Sequence, residues 1–279
     1  MRRIMTTCIV LLLATIPALF AQTWAAGGNA QQLVREVATN ELRAQEQDRT
    51  LWMYVAREEE HGKQGVRQVI DTEEGPLSVV IARNGQPLDS QQQQLEKQRI
   101  EKLIRNPDEQ TRELRRYQHD AEQAKQLTKL LPEAFLFRIS SGDQHRLRLS
   151  FRPNPAFHPA TREARVFHAM QGQLVVDAAQ KRFVELRGVL TEDVHFGGGI
   201  LGNIRKGGTF DVQQTEVLPG HWELTLIDVH ISGKALLFKT INEQQHETRS
   251  DFRRVPDKLT LAQAAEMLEK QVAVAELRR

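Results

Sequence analysis

The sequence predicts an α+β protein: a strongly curved antiparallel β-sheet, an incomplete β-barrel, covered by helices on its concave side. Three observations carry that prediction. Strand-like runs come in two blocks, a short early one and a longer late one. Between them, from Ser90 to Leu131, lies a charge-dense stretch with no period of two. Within 221–238 the apolar phase changes sides. Trp222, Leu224 and Leu226 share one face, whereas Ile227, Val229, Ile231, Ala235 and Leu237 share the other, which requires a bulge or a sharp bend. Long bent strands with one apolar face need a cover, and the helical stretches are the material available for it.

The elements follow in order. Arg2 and Arg3 precede an apolar run from Ile4 to Phe20, and Ala21, Ala25 and Ala26 follow it. That is the pattern of a secretory signal cleaved after Ala21 or Ala25. The run is short for a membrane span of about 20 residues, and Pro17 interrupts it. On this reading 1–25 are a signal peptide, and 26–279 form a single periplasmic domain that does not span the membrane. Cys8, the only cysteine, leaves with the signal, so packing and strand pairing must stabilise the domain without disulfides. Removal of Arg2 and Arg3 leaves 36 basic residues against 36 acidic ones, a balance that argues against a nucleic-acid partner.

Residues 28–49 read as a helix, with Leu33, Val34, Val37, Ala38 and Leu42 near one face and Asn29 as N-cap. Three strand runs, 51–59, 66–73 and 77–83, form a small meander punctuated by Glu74-Gly75-Pro76 and Asn84-Gly85. Pro87 bars a return into a central strand. The insertion at 90–131 reads as two helices broken at Asn106-Pro107, with Asp108 capping the second and Pro132 stopping it. Its basic residues alternate with acidic ones, the composition of a solvated face and not of an RNA-binding helix. Strands return at 134–140 and 146–152, turning about Ser141-Gly142-Asp143, and a proline-rich loop runs from Pro153 to Pro159. Further strands are expected at 165–177, 182–196, 208–217, 221–239 and 244–254, and a closing amphipathic helix at 259–277.

Few residues carry recognisable chemistry. The glycine-rich stretch from Phe196 to Gly208 lacks the Gly-Lys-Ser/Thr ending and the following helix of a phosphate loop, so it reads as a strand connection. Asp-Val-His occurs twice, and residues two apart on a strand share a face. Asp193, His195, Asp228 and His230 would thus be metal-ligand candidates if their strands paired in register. Outward strand faces commonly carry Asp and His, however, and no metal or other cofactor is expected. No Gly-x-Ser-x-Gly, no His-Glu-x-x-His and no cysteine nucleophile is present in 26–279, and a non-enzymatic protein is expected. Trp52, Tyr54, Leu186, Leu190, Trp222, Leu224 and Leu226 are the candidates for lining an apolar cavity between sheet and helical lid. Ordinary core packing is the competing account at each.

The order of elements resembles that of the periplasmic carriers of outer-membrane lipoproteins. A closer resemblance is to an uncharacterised, largely acidobacterial group of exported proteins, described as outer-membrane lipoprotein-sorting-like. The matching segments are Asn84-Gly85-Gln86-Pro87-Leu88, the loop from Phe151 to Pro159, Met170 to Asp177, Asp193 to Ile200 and Ser250 to Arg254. The resemblance implies a half-barrel around an apolar cavity and a carrier that holds a lipid or acylated protein ligand. It carries over no functional residue position by position. An envelope protein-interaction or sensor module with the same fold is the alternative, and a metal-dependent enzyme built on the paired Asp-Val-His segments a third.

Overall fold

The structure, a computed structural model, describes residues 28–196, 202–235 and 239–268. The expected signal segment, Gly197–Leu201 of the glycine-rich stretch and the expected helix beyond 268 lie outside the described residues. The chain opens with α1 (Gly28–Gln47), in which Asn29 falls inside the first turn. A meander of β1 (Trp52–Glu60), β2 (Lys63–Ile70), β3 (Leu77–Arg83) and β4 (Gln86–Pro87) follows. Its tight turns are built on pairs of positive φ, 50° and 75° at His61-Gly62 and 48° and 76° at Asn84-Gly85. Two consecutive left-handed residues are what a type I′ hairpin needs.

Two helices then lead away from the β4 edge. In α2 (Ser90–Arg105), Asp89 and Gln92 form a reciprocal capping box. In α3 (Pro107–Ala134) the cap is Asn106, whose side chain accepts from the Glu109 N–H, and not the expected Asp108. Pro107 takes the first helical position, where a missing N–H costs nothing. Pro132 does not stop the helix as expected. Only Glu133 and Ala134 follow it, and burial of Leu131 and Ala134 holds this last turn.

The second block contains β5 (Phe135–Gly142), β6 (Arg146–Pro153), α4 (Arg162–His168), β7 (Met170–Asp177) and β8 (Phe183–Leu190). It continues with β9 (Val194–Phe196), β10 (Gly202–Ile204), β11 (Thr209–Leu218), β12 (His221–Ala235) and β13 (Lys239–Arg254). Helix α5 covers 261–268. Two expectations need correction here. The strand expected from Arg165 begins only at Met170, because Thr161 caps a short helix through the Ala164 N–H. The strand expected to run unbroken to Phe196 breaks after Leu190. Thr191 there bonds back to the Ala169 carbonyl, and Asp193 accepts from the Lys206 N–H.

The strands form one open antiparallel sheet of 13, in the order β4-β3-β2-β1-β13-β12-β11-β8-β7-β6-β5, with β10 joining β12 to β9. The last strand thus lies beside the first. The bend expected in β12 is present: the β11–β12 register slips between Gln213, opposite Leu226, and Gln214, opposite Leu224. Leu186, Val212 and Ile227 face one another across β8, β11 and β12, and the series continues through Glu247 of β13 to Glu58 of β1. This is the face that α1 covers, since Leu186 and Phe210 pack on the core formed by Val34, Val37, Phe135, Phe137, Leu149 and Leu174. Met53, Ile70 and Leu77 face the other way, and they pack with Leu103 of α2 and with Leu261, Ala264 and Leu268 of α5.

Both sheet edges are closed by side chains of the covering helices. At β5, the Gln31 amide donates to the Phe135 carbonyl at 3.1 Å and accepts from the Phe137 N–H at 3.3 Å, as a neighbouring strand would. At β3, Glu96 accepts from the Val80 N–H at 2.8 Å while Arg99 donates to the Ser78 carbonyl. An edge left open is a template for another chain, and these bonds blunt it. No helix of the described residues is long and apolar enough to cross a membrane.

Candidate functional site

The covered face of the sheet has two halves of opposite character. On β8, β11 and β12 it presents Leu186, Val212, Ile227, Val229 and Ile231, all half-buried, with Leu186 packed against the α1 core. On β13, β1 and β2 it presents Arg249, Glu247, Tyr54, Glu58 and Arg67. Arg249 bonds Glu247 at 2.5 Å and lies 5.4 Å over the Tyr54 ring, while Arg67 pairs with Glu58. Burial pushes the Tyr54 hydroxyl above its ordinary range.

Beside the charged half opens a cleft of about 1450 Å³. Its walls come from the end of α1 (Arg43, Asp48), the middle of α3 (Tyr117, Ala121), the β2–β3 turn (Asp71) and the β11–β12 turn (His221). That volume exceeds the roughly 300–1,000 Å³ of an ordinary small-molecule pocket. The carboxylates around it differ. Burial alone would raise Asp48, but bonds from the Thr50 N–H and from His221 at 2.9 Å outweigh it and hold the group low. Burial raises Asp71 to about 6, against the pull of the Trp52 N–H and Arg249. Burial raises Glu223 to about 7, aided by the charges of Asp71 and Asp48 and opposed by Arg249 and the Trp52 indole N–H.

The residues expected to line an apolar cavity are distributed differently, and none of the seven lines this cleft. Trp52 is 2% exposed, packed edge-on against His221 and Phe252. Tyr54 stacks on Phe252 at 5.2 Å. Leu190 is sealed in a core with Met170 and Val194. Trp222 donates its indole N–H to Gln180 at 2.9 Å, under the Arg182 guanidinium. Leu224 and Leu226 are half-buried on either side of the bulge, Leu226 opposite Thr248 on the face away from α1. Leu186 alone of the seven belongs to the half-buried apolar strip described above.

The two Asp-Val-His segments do not come together. His195 opposes Asn203, which opposes Lys234, and six residues along a strand separate that position from Asp228, about 20 Å. Asp228 bonds His246 at 3.0 Å and His230 at 3.2 Å instead. Among the described residues, no group of three His, Cys, Asp or Glu could hold a metal ion.

Sequence reasoning missed Asp71, Glu223 and Arg249. Arg249 has one partner, Glu247, two positions away, but Asp71, Glu223 and Arg249 meet one another only through strand pairing, across separations that no local pattern marks. The chain matches no family model, no curated protein and no solved structure.

Proposed function

We propose that this chain is a non-enzymatic periplasmic carrier that holds a lipid or acylated protein ligand against the covered face of its sheet. The single observation that carries the proposal is the division of that face. A half-buried apolar strip lies next to a charged half and an open cleft, which is the complement of an amphipathic molecule. The acyl part would lie along Leu186, Val212, Ile227 and Val229, gaining about 0.8 kcal/mol for each CH₂ taken out of water. The polar part would turn toward Tyr54, Arg249 and the cleft. Helix α3, broken from α2 at Asn106-Pro107, would be the movable wall.

Native mass spectrometry of gently purified protein, followed by solvent extraction, tests the proposal. A reproducible lipid or acyl-peptide adduct is the expected result. Val229→Glu, which places a charge in the apolar strip, should lower occupancy at least about tenfold, the equivalent of ~1.4 kcal/mol. Protein that is ligand-free in repeated preparations would sink the carrier reading. A defined envelope protein captured in place of lipid would favour the sensor alternative, to which the charged cleft wall is equally suited.

A further inference from the structure

At the β5 end of the sheet, the face turned away from α1 carries a single sign of charge. Leu149 and Phe151 of β6 point into the core that α1 covers, so the even-numbered residues share the opposite face. Those residues are Arg146, Arg148, Ser150 and Arg152. Arg138 of β5 lies opposite Ser150, and Arg187 of β8 follows in the same row beyond Gln173. Alternate residues on a strand stand ~6.8 Å apart and neighbouring strands ~4.8 Å, so the five arginines occupy a patch of about 20 Å by 15 Å. Arg138, Arg146, Arg148 and Arg187 are exposed, and Arg152 is half-buried.

The acids within reach are few and already bonded. Directly across the strands from Arg138, Arg148 and Arg152 stand Ser150, Ser141, Val175 and Leu136, none of them acidic. Glu185 pairs with Arg187 at 3.3 Å. Asp177, opposite Arg146, accepts from the Ala179 and Gln180 N–H groups. Asp143, in the hairpin turn, accepts from those of His145 and Arg146. The excess is local, since the chain as a whole sets 38 basic residues against 36 acidic ones. The next acids on this face are Asp211 and Asp228, on β11 and β12, three and four strands from β6. That is ~14–19 Å along the sheet, beyond the screening length of about 8 Å at physiological salt.

We propose that this arginine face docks the protein on the surface of a bilayer that contains anionic phospholipid. A protein partner fits less well. Protein interfaces are organised around protruding apolar or aromatic anchors, and here Val175 is 2% exposed and Leu136 half-buried, so no anchor stands out from the patch. A bilayer surface asks only for charge spread over a broad face. The planar guanidinium donates to two phosphate oxygens at once, a geometry that lysine does not offer. Each arginine near an anionic surface contributes about fivefold in affinity, the equivalent of ~1 kcal/mol. Asp211 and Asp228, on the same face, would be repelled, so the β5–β6 end would meet the lipid first. Docking in this way uses neither the apolar strip nor the cleft, and it does not depend on the carrier reading.

Vesicle flotation of the full chain tests the docking. Vesicles of phosphatidylcholine alone are compared with vesicles in which about one third is phosphatidylglycerol, so that apolar insertion by the N-terminal segment counts equally in both. The wild type should prefer the anionic vesicles, and the preference should fall as salt rises. Arg138→Gln, Arg146→Gln and Arg148→Gln together should lower that preference by about fivefold for each arginine removed. Arg148→Gln alone, with a fivefold loss, carries the test if the triple variant does not fold. Arg105→Gln, Arg112→Gln and Arg115→Gln remove the same charge from α2 and α3, and they should leave the preference within about twofold. Equal binding of the wild type to both vesicles, or an equal loss from the α2 and α3 substitutions, would overturn the docking. Retention on immobilised polyglutamate without any preference for anionic vesicles would overturn it too, and would point to an acidic protein partner.

Discussion

Glu41 of α1 and Glu223 of β12 are both carboxylates turned into the body of the protein, and their surroundings differ in every respect that matters to a charge. Glu41 is 5% exposed, yet its oxygens accept four hydrogen bonds: two from Arg182 at 2.8 Å, one from the Phe183 N–H and one from the Gln214 amide. Glu223 is less buried, but its partners are one donor, the Trp52 indole, and a guanidinium already engaged by Glu247. Donors, and not depth, decide whether a buried carboxylate is a pin or a liability. The same contrast divides the two helices over the sheet. Glu41 and Gln31 fasten α1 to the sheet, whereas the middle of α3, from Arg115 to Ala124, is exposed beside the cleft.

The sharpest way to break the comparison is to remove the pin. Glu41→Ala leaves the Arg182 guanidinium, the Phe183 N–H and the Gln214 amide without their acceptor, and it should cost about 3–5 kcal/mol. Denaturant midpoints at constant slope read that loss. A cost under about 1 kcal/mol would mean that the four bonds merely match what water gives, and the contrast with Glu223 would fall.

The second test has the opposite sign. The folded state raises Glu223 from 4.5 to about 7, so it binds more protons than the unfolded chain between those values. Its contribution to stability is therefore undiminished below pH 4.5 and declines as pH rises toward and past 7. Glu223→Gln should stabilise the protein at pH 8 by about 1–3 kcal/mol and change little at pH 4.5. Thermal melts across that range separate this from a general effect of the substitution, which would displace both ends of the curve alike.

Local signals explain why some of this was legible. The Asn84-Gly85 turn, the break at Asn106-Pro107 and the phase change before Ile227 each express a constraint among neighbours in the chain, and each is found in the structure. The α4 helix was missed because Arg165 to Phe167 continues an apolar pattern into β7, and only the Thr161 cap distinguishes it. Glu41 left a trace: it stands three and four residues after Ala38 and Val37, on the apolar stripe of α1, where a charge needs a partner. The identity of that partner, Arg182, depends on strand order and could not be read locally. The same holds for the cleft, whose walls are drawn from turns at both ends of the chain.

The smallest effect bears on the fixed wall alone. Gln31→Ala removes an amide that stands in for a missing strand at the β5 edge, leaving the Phe135 carbonyl and Phe137 N–H without it. The part-buried site admits some water to replace those bonds, so the loss should be about 1 kcal/mol. The more telling readout is local. Hydrogen exchange at the Phe137 amide should quicken by about fivefold or more, the equivalent of ~1 kcal/mol, while amides of β12 and β13 stay as they were. If amides of α3, which packs against α1, quickened with it, the two helices would be one mechanical unit. The division of the covering helices into one pinned and one held mainly by its ends would then have to be abandoned.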